Sequence, residues 1–417
     1  MIINRERYLN KIIQRKHNRL VKIITGIRRC GKSYLLFNLF YDHLIQSGVN
    51  GDHIIKIALD DWANREFRDP DRLYGYVKST IRDEKMYYIL LDEVQLITHF
   101  EDVLNGLMHV NNCDVYVTGS NAKFLSKDII TEFRGRGDQI HIYPLSFAEF
   151  ISVYNGSKDD AWKEYMLYGG LPNIVLMQSS ELKKEFLINL FNETYLNDVI
   201  SRYNIRNDAE LGELINILAS SIGSLTNPNK LSDTFKSVKK TDISNHTIKS
   251  YLDYFEDSFL IQNSLRYDVK GKKYINTPSK YYFTDIGLRN ARLNFRQLEE
   301  NHIMENIIYN ELKIRGFSVD VGVVTLNTKD ADGKSIRKQL EIDFICNKGD
   351  QKYYIQSAFR MDTEEKEKQE LRSLNSLDDS FKKIIVLRNK ELMTKDENGY
   401  LRIGLLDFLL NDNSLDL

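Results

Sequence analysis

Three cysteines in 417 residues, Cys30, Cys113 and Cys346, lie far apart in the chain. That spacing excludes a disulfide framework and any Cys-x-x-Cys metal site, and it fits a reducing cytoplasm. Proline (5) and glycine (22) are scarce, so neither a collagen-like repeat nor low-complexity disorder is present. No apolar run approaches the roughly 20 residues that a membrane-spanning helix needs. The opening stretch, MIINRERYLNKIIQRKHNRL, lacks the apolar core of a signal peptide. The expectation is a soluble cytoplasmic protein with no membrane partner. An excess of one charge is missing too. Lys+Arg 58 against Asp+Glu 59 leave a net charge of -1, which excludes a wholly basic coat for nucleic acid but not a local patch.

The composition is otherwise ordinary, with 42% hydrophobic and 28% charged residues. The length suits two to four domains, each able to bury its own core. No fixed-period repeat is visible, which argues against solenoids and propellers. The charge is uneven along the chain. Residues 1–40 hold ten Lys or Arg and one acid, Glu6, and the last thirteen residues hold three Asp and no base. The basic head reads either as a solvated helix leading into a phosphate site or as a surface for nucleic acid or a protein partner. Composition shifts after Ile140–Phe150, near Tyr203–Asn207 and near Asn294–Asn301 suggest boundaries, with no long flexible linker between the pieces.

The most specific signal lies near the start. Leu20–Thr25 (LVKIIT) reads as a buried strand. It runs into Gly26, Ile27, Arg28, Arg29, Cys30, Gly31, Lys32 and Ser33, followed by Tyr34. This matches the phosphate-loop pattern G-x-x-x-x-G-K-[ST] at every defined position. Glycines at Gly26 and Gly31 let the backbone turn so that consecutive N–H groups face phosphates. The expected roles are Lys32 on the β- and γ-phosphates and the Ser33 hydroxyl on magnesium. A helix over Tyr34–His43 would add its positive end.

Further strands fit Ile54–Leu59, Tyr87–Leu91, Asp114–Thr118 and Gln139–Tyr143. The third of the five ends in Asp92 and Glu93. After a phosphate loop, Asp92 is expected to hold Mg2+ through water, and Glu93 to act as general base on the attacking water; alone, such acids would read as helix caps. Ser120 and Asn121, after the fourth strand, suit either a γ-phosphate sensor or a helix cap. Arg134 and Arg136 suit either a finger supplied to a neighbouring subunit or a solvated turn. A finger acting in trans would require a homo-oligomer. Strands alternating with helices imply a parallel sheet covered on both faces, with ligands at its carboxyl ends.

GIRRCGKS, ILLDEVQ, VTGSNAKFLS, GRG…YPLSFAEF and YGGLP together resemble a group of prokaryotic AAA+-type ATPases that pair an N-terminal AAA module with a C-terminal domain of unknown function. The resemblance covers nearly the whole chain. It implies ATP and Mg2+ binding, Ser120 or Asn121 as sensor, and Arg136 at the family's Gly-Arg position.

The resulting fold class is α/β: an AAA+-like P-loop core at 1–150, a helical lid at 151–205, a winged helix at 206–295 and a small α/β domain at 296–417. Gly169 and Gly170 mark either a hinge or a tight turn. The would-be recognition helix, Thr247–Phe259, sets Lys249 against Asp253, Glu256 and Asp257 and would repel phosphate. The wing, with Arg266, Lys270, Lys272 and Lys273, suits DNA better. The last segment resembles a restriction-endonuclease-like fold with Glu305, Glu341 and Asp343 as its acids. Its acid-x-Lys slot reads Gln356-Ser357-Ala358, so catalysis there is expected to be lost. The leading reading is an ATPase that drives or switches a conformational change. The alternatives are an ATP-gated module that binds DNA or a protein with little turnover, and an ATP-regulated nuclease.

Overall fold

Strands with apolar residues on both faces need cover on both faces, and such segments form the middle of the five-stranded first sheet. In the computed structural model, which describes residues 2–120, 136–239, 242–329, 335–389 and 393–416, the five strands are β1 (Val21–Thr25), β2 (Ile54–Ala58), β3 (Tyr87–Asp92), β4 (Cys113–Gly119) and β5 (Gly137–His141). All pair in parallel, in the order β2-β3-β4-β1-β5. β1 and β3 are buried along their whole length, whereas the edge strand β2 alternates and exposes Lys56. Val21, Ile23, Ile89, Leu91, Val115 and Val117 form one core with Leu73, Val77, Leu104 and Leu107 from the covering helices Pro70–Thr80 and Phe100–Met108. Asp69 caps the first of these helices by accepting from the Arg72 N–H at 2.9 Å, with Pro70 in the first turn.

Two compact units divide the chain. The first is Met1–Leu145 with Leu171–Asn173 and Asp257–Phe259; the second is Ser146–Gly170, Ile174–Glu256 and Leu260–Leu417. After Leu145, Ser146 opens a new helix, Phe147–Ile151, with a reciprocal capping box to Glu149. No helix of the described residues is long and apolar enough to cross a membrane.

The second unit sets helices against an eight-stranded mixed sheet. Its strands are β6 (Ile261–Asp268), β7 (Lys273–Phe283), β8 (Ser318–Lys329), β9 (Ser335–Lys348), β10 (Gln351–Ala358), β11 (Lys382–Leu387), β12 (Thr394–Lys395) and β13 (Leu401–Gly404). Their order is β12-β13-β11-β10-β9-β8-β6-β7. The β6–β7 pair is the hairpin expected as a wing, but β6 also pairs in parallel with β8, from Arg266↔Val321 to Asp268↔Val323. A lone hairpin would leave the backbone groups of β6 unpaired on one side. The expected wing and the expected C-terminal domain therefore share one sheet across residue 295. Arg266 is correspondingly turned inward, 7% exposed, and donates to Gln339 Oε1 at 2.8 Å. Of the four basic wing residues, only Lys270, Lys272 and Lys273 are exposed.

The Gly169-Gly170 pair follows the helix Lys158–Tyr168. Gly169 has φ 76°, and a Cβ there would lie 2.3 Å from Asp285 Oδ1. The buried Asp285 carboxyl accepts from the Gly170 N–H at 2.8 Å and the Leu288 N–H at 3.0 Å. It joins this pair to the start of the helix Ile286–Arg292. Asn290 Nδ2 adds bonds to the Met166 and Leu167 carbonyls. Burial pushes the Asp285 carboxyl up to about 6, against the pull of the Gly170, Leu288 and Gly287 N–H groups.

Asp285→Ala should destabilise the chain by about 1–3 kcal/mol, because it strands buried N–H groups; urea denaturation measures this. Since the folded value lies above the unfolded one, the stability Asp285 contributes is full below pH ~4 and is lost as pH rises through about 6. Asp285→Asn should flatten that part of the pH–stability curve.

Candidate functional site

The loop after β1 has little conformational freedom. Gly26 has φ 148°, and a Cβ there would lie 2.1 Å from the Ile142 carbonyl oxygen. Only glycine lets the backbone pass so close to the end of β5. Gly31, at φ 98°, ends the loop and precedes a helical run over Lys32–Tyr34. That run continues as a π-helical stretch, Leu35–Phe40, and then Tyr41–Gln46. Ile27 and Cys30 are fully buried, Arg28 is half-buried, and Arg29 (φ 64°), Ser33 and Tyr34 are exposed. Lys32 is 4% exposed and bends back over the loop, donating to the Gly26 carbonyl at 3.1 Å and the Ile27 carbonyl at 3.2 Å. Its ammonium is thus held inside the curve of the loop.

The base of the loop is seated on groups that the sequence reading passed over. Arg5, 4% exposed, donates to the Cys30 carbonyl at 3.3 Å and to the Tyr143 carbonyl at 2.6 Å. The Cys30 thiol points at the Ile142 carbonyl, 3.6 Å away, and burial raises its pKa above the usual thiol range. Cys30 is therefore a packing residue rather than a reactive one.

β3 delivers Asp92 to the same side of the sheet. Asp92 is 3% exposed, accepts from Thr118 Oγ1 at 2.5 Å and lies within the electrostatic influence of the Ser33 hydroxyl. Burial raises the Asp92 pKa above the usual carboxylate value, and these two hydroxyls pull it back down. Thr118 Oγ1 also accepts from the Glu93 N–H at 2.9 Å. Glu93 takes up a left-handed backbone, φ 55°. Its Oε2 accepts from Gln95 Nε2 and, at 3.3 Å, from Ser120 Oγ. Lys32 and Ser33 of the loop, Asp92, Glu93 and Ser120 thus stand at the carboxyl ends of β1, β3 and β4, where open parallel sheets bind ligands. A shaped loop closed to any Cβ at Gly26, an ammonium, and a hydroxyl at the same end of the sheet as a buried carboxyl form a donor set that fits a magnesium–nucleotide pair.

One predicted residue among those described is not brought there, and two, Asn121 and Arg134, lie outside the described residues. Arg136 is exposed, and its carbonyl accepts from the Val21 N–H at 3.0 Å, at the amino end of β1. The loop leaves from the other end of that strand, so Arg136 does not face its own phosphate loop.

Part of the basic head is engaged inside the first unit. Lys22, fully buried, pairs with Asp114, and Tyr116 Oη donates to the same carboxylate at 2.7 Å. Arg15 pairs with Asp138 at 2.9 Å. Arg5 and Lys32 are also engaged, whereas Arg19 and Arg29 are exposed.

In the second unit, Glu305, Glu341 and Asp343 do come together, around a lysine that sequence spacing could not show, Lys280. Among the described residues no group of three or more His, Cys, Asp or Glu side chains is placed to hold a metal.

Comparison with known proteins agrees with the first sheet. A family model described as an AAA domain matches residues 18–151, and one described as a domain of unknown function (DUF8612) matches 159–299. The second match lies over the expected lid and winged helix. An uncharacterised protein of Haemophilus influenzae is 35% identical, with 98% of this chain and 99% of that protein aligned. An uncharacterised protein of Methanocaldococcus jannaschii is 29% identical over 97% of this chain and 88% of its own length. Among solved structures, the Aeropyrum pernix ORC1 protein in complex with DNA aligns at TM-score 0.30 and 10% identity, covering 70% of this chain and 92% of that one. Cdc6p of Pyrobaculum aerophilum aligns at TM-score 0.29 and 10% identity, covering 74% and 95%.

Gly26→Ala should be the most damaging change in the loop. The added methyl group meets the Ile142 carbonyl at an impossible distance in a conformation that L-residues avoid. A loss of at least about tenfold in affinity for a fluorescent ATP analogue is expected, roughly 1.4 kcal/mol, whereas Arg29→Ala, at an exposed loop position, should bind within about twofold of wild type.

Proposed function

We propose, for a chain that belongs to the family of prokaryotic proteins carrying an AAA domain ahead of a domain of unknown function, that it binds ATP with Mg2+ and hydrolyses it to drive or switch a conformational change. The observation that carries this reading is the phosphate loop, with the Lys32 ammonium held inside its curve, standing at the same carboxyl end of the parallel sheet as Asp92 and Glu93.

In this reading the Gly26–Ser33 backbone and the Lys32 ammonium bind the phosphates, and Tyr34 lies at the rim. Ser33 and Asp92 hold Mg2+, which supplies charge neutralisation on the phosphate oxygens. The raised pKa of Asp92 suits such a role, because an arriving divalent cation stabilises the ionised form that burial disfavours. Glu93 accepts the proton of the attacking water as the water oxygen bonds to the γ-phosphorus and ADP leaves. Ser120, bonded to the Glu93 carboxylate, links the end of β4 to that base and serves as the sensor; Asn121 is the alternative. Arg136 can act as a finger only on the nucleotide of another copy in a homo-oligomer. The division of the chain we propose is an ATPase core at 1–150, a helical lid at 151–205, a winged helix at 206–295 and a nuclease-like remnant at 296–417. The last two are joined through the pairing of β6 with β8.

A second reading, an ATP-gated module that attaches to DNA, keeps one support. Lys270, Lys272 and Lys273 cluster at the exposed turn of the β6–β7 hairpin.

Glu93→Gln should cut steady-state turnover by at least about 100-fold while leaving ATP affinity unchanged; equal turnover removes Glu93 from the role of base. If the hairpin binds duplex DNA, that DNA should stimulate turnover, and replacing Lys270, Lys272 and Lys273 by Gln should abolish the stimulation. Turnover indifferent to DNA points instead to a protein partner.

A further inference from the structure

A lysine buried among carboxylates in the second unit is not accounted for by ATP chemistry. Lys280, on β7, is 2% exposed. Its Nζ lies 2.8 Å from Glu305 Oε1, on the helix Glu300–Ile314, and 2.7 Å from Glu341 Oε1, on β9. Asp343, two residues along β9 from Glu341, acts on the same ammonium electrostatically. β6 and β8 lie between β7 and β9 in the sheet, so this one cation on β7 gathers acids from two other elements, a helix and β9.

We infer that Lys280 is the resident counter-ion of the Glu305–Glu341–Asp343 cluster, standing where a divalent cation would otherwise sit, and that it makes this part of the second unit independent of metal. The inference goes beyond the ATPase reading and does not depend on it.

The inner oxygens of the cluster are already committed. Glu305 Oε1 accepts from both Lys280 and the Tyr282 hydroxyl, the latter at 2.7 Å. Glu341 Oε1 accepts from Lys280. Asp343 Oδ2 accepts from the Ser357 N–H at 2.8 Å. Burial and the neighbouring Glu305 hold the Asp343 carboxyl well above the ordinary carboxylate range, so it favours keeping its proton. A hard divalent cation needs several ionised or carbonyl oxygens with free lone pairs. Here one ammonium serves two carboxylates, and the third acid leans toward neutral. The strand that would complete a metal-dependent hydrolytic centre supplies Gln356, Ser357 and Ala358 instead of an acid and a lysine.

Access is not what excludes a metal. A pocket of ≈ 420 Å³ is bordered by Glu305, Asp343, Gln356 and Ser357, with His302 and Lys366 on its wall. An ion can reach the acids from that side. Exclusion therefore rests on the ammonium, and removing the ammonium should undo it.

The opposing reading makes Lys280 the lysine of a working metal-dependent nuclease. It requires the wild-type carboxylates to bind the metal, so the two readings separate on metal binding alone. The test uses the full-length chain without nucleotide and Mn2+ as the probe, with bound Mn2+ counted by electron paramagnetic resonance and melting temperature followed in parallel. Wild type should bind no Mn2+ beyond that bound by Glu305→Gln, and neither Mn2+ nor EDTA should move its melting temperature. Lys280→Met should melt roughly 10 °C lower, as expected for breaking a buried ion pair. It should also gain about one Mn2+ per chain and recover much of the lost stability with it. Should Lys280→Met fail to fold, the double variant Lys280→Met/Glu305→Gln decides. It should fold without metal and bind none, because the unpaired carboxylate is gone. Wild-type Mn2+ binding that Glu305→Gln abolishes would overturn the inference. So would a folded Lys280→Met that gains no Mn2+, or a double variant no more stable than the single one.

Discussion

The closeness of Gly26 to the Ile142 carbonyl is the constraint on which the first unit's site depends. A loop that wraps an anion must turn its N–H groups inward within a few residues, and its underside must rest on something. Here the underside rests on the exit of β5, and there is no room for a methyl group between them. β5 pairs with β1 from Val21↔Gly137 to Thr25↔His141, so the strand that launches the loop also fixes the surface beneath it. Arg5 then ties the Cys30 carbonyl to the Tyr143 carbonyl. With the loop seated this way, Lys32 and Ser33 are presented at the same end of the sheet as Asp92, which β3 delivers.

Buried charge carries much of the specificity elsewhere. Lys22–Asp114 joins β1 to β4, where Lys22 lies beside Tyr116 in register. Burial lowers the Lys22 pKa, and Asp114 opposes that shift. Asp285 holds a glycine pair against a helix start, and Lys280 gathers three acids. Such pairs add little net stability over apolar replacements, but removing one partner is costly. They therefore act as registration points, each of which penalises any arrangement that separates its partners.

What could be read from the sequence was what is contiguous in it. The phosphate loop is one run of eight residues with a strand before it, and Asp92 follows a run of apolar residues, so both were identifiable from pattern alone. Thr118, Gln95 and Arg5 were not. Thr118 meets Asp92 only because β3 and β4 are neighbours, and Arg5 reaches Tyr143 across 138 positions. Gln95 stood in plain view in the DEVQ run, but nothing in its spacing says that its amide turns back on Glu93. Arg266 was assigned to an exposed wing by composition. The structure turns it inward because β6 has a neighbour on both sides, and its pairing with β7 is irregular between Ser264 and Arg266. Lys280 was invisible for the same reason: its acids come from a helix and a strand that the chain reaches later.

The account stands or falls on whether the loop and acid turn over nucleotide. The most direct measurement is steady-state phosphate release from Mg2+–ATP by the full-length chain, with Lys32→Ala as the comparison. Lys32 lies wholly within the loop, so the account predicts Mg2+-dependent release that falls to background when the ammonium is removed. Release that is equal in the two proteins, or that persists without Mg2+, would contradict it.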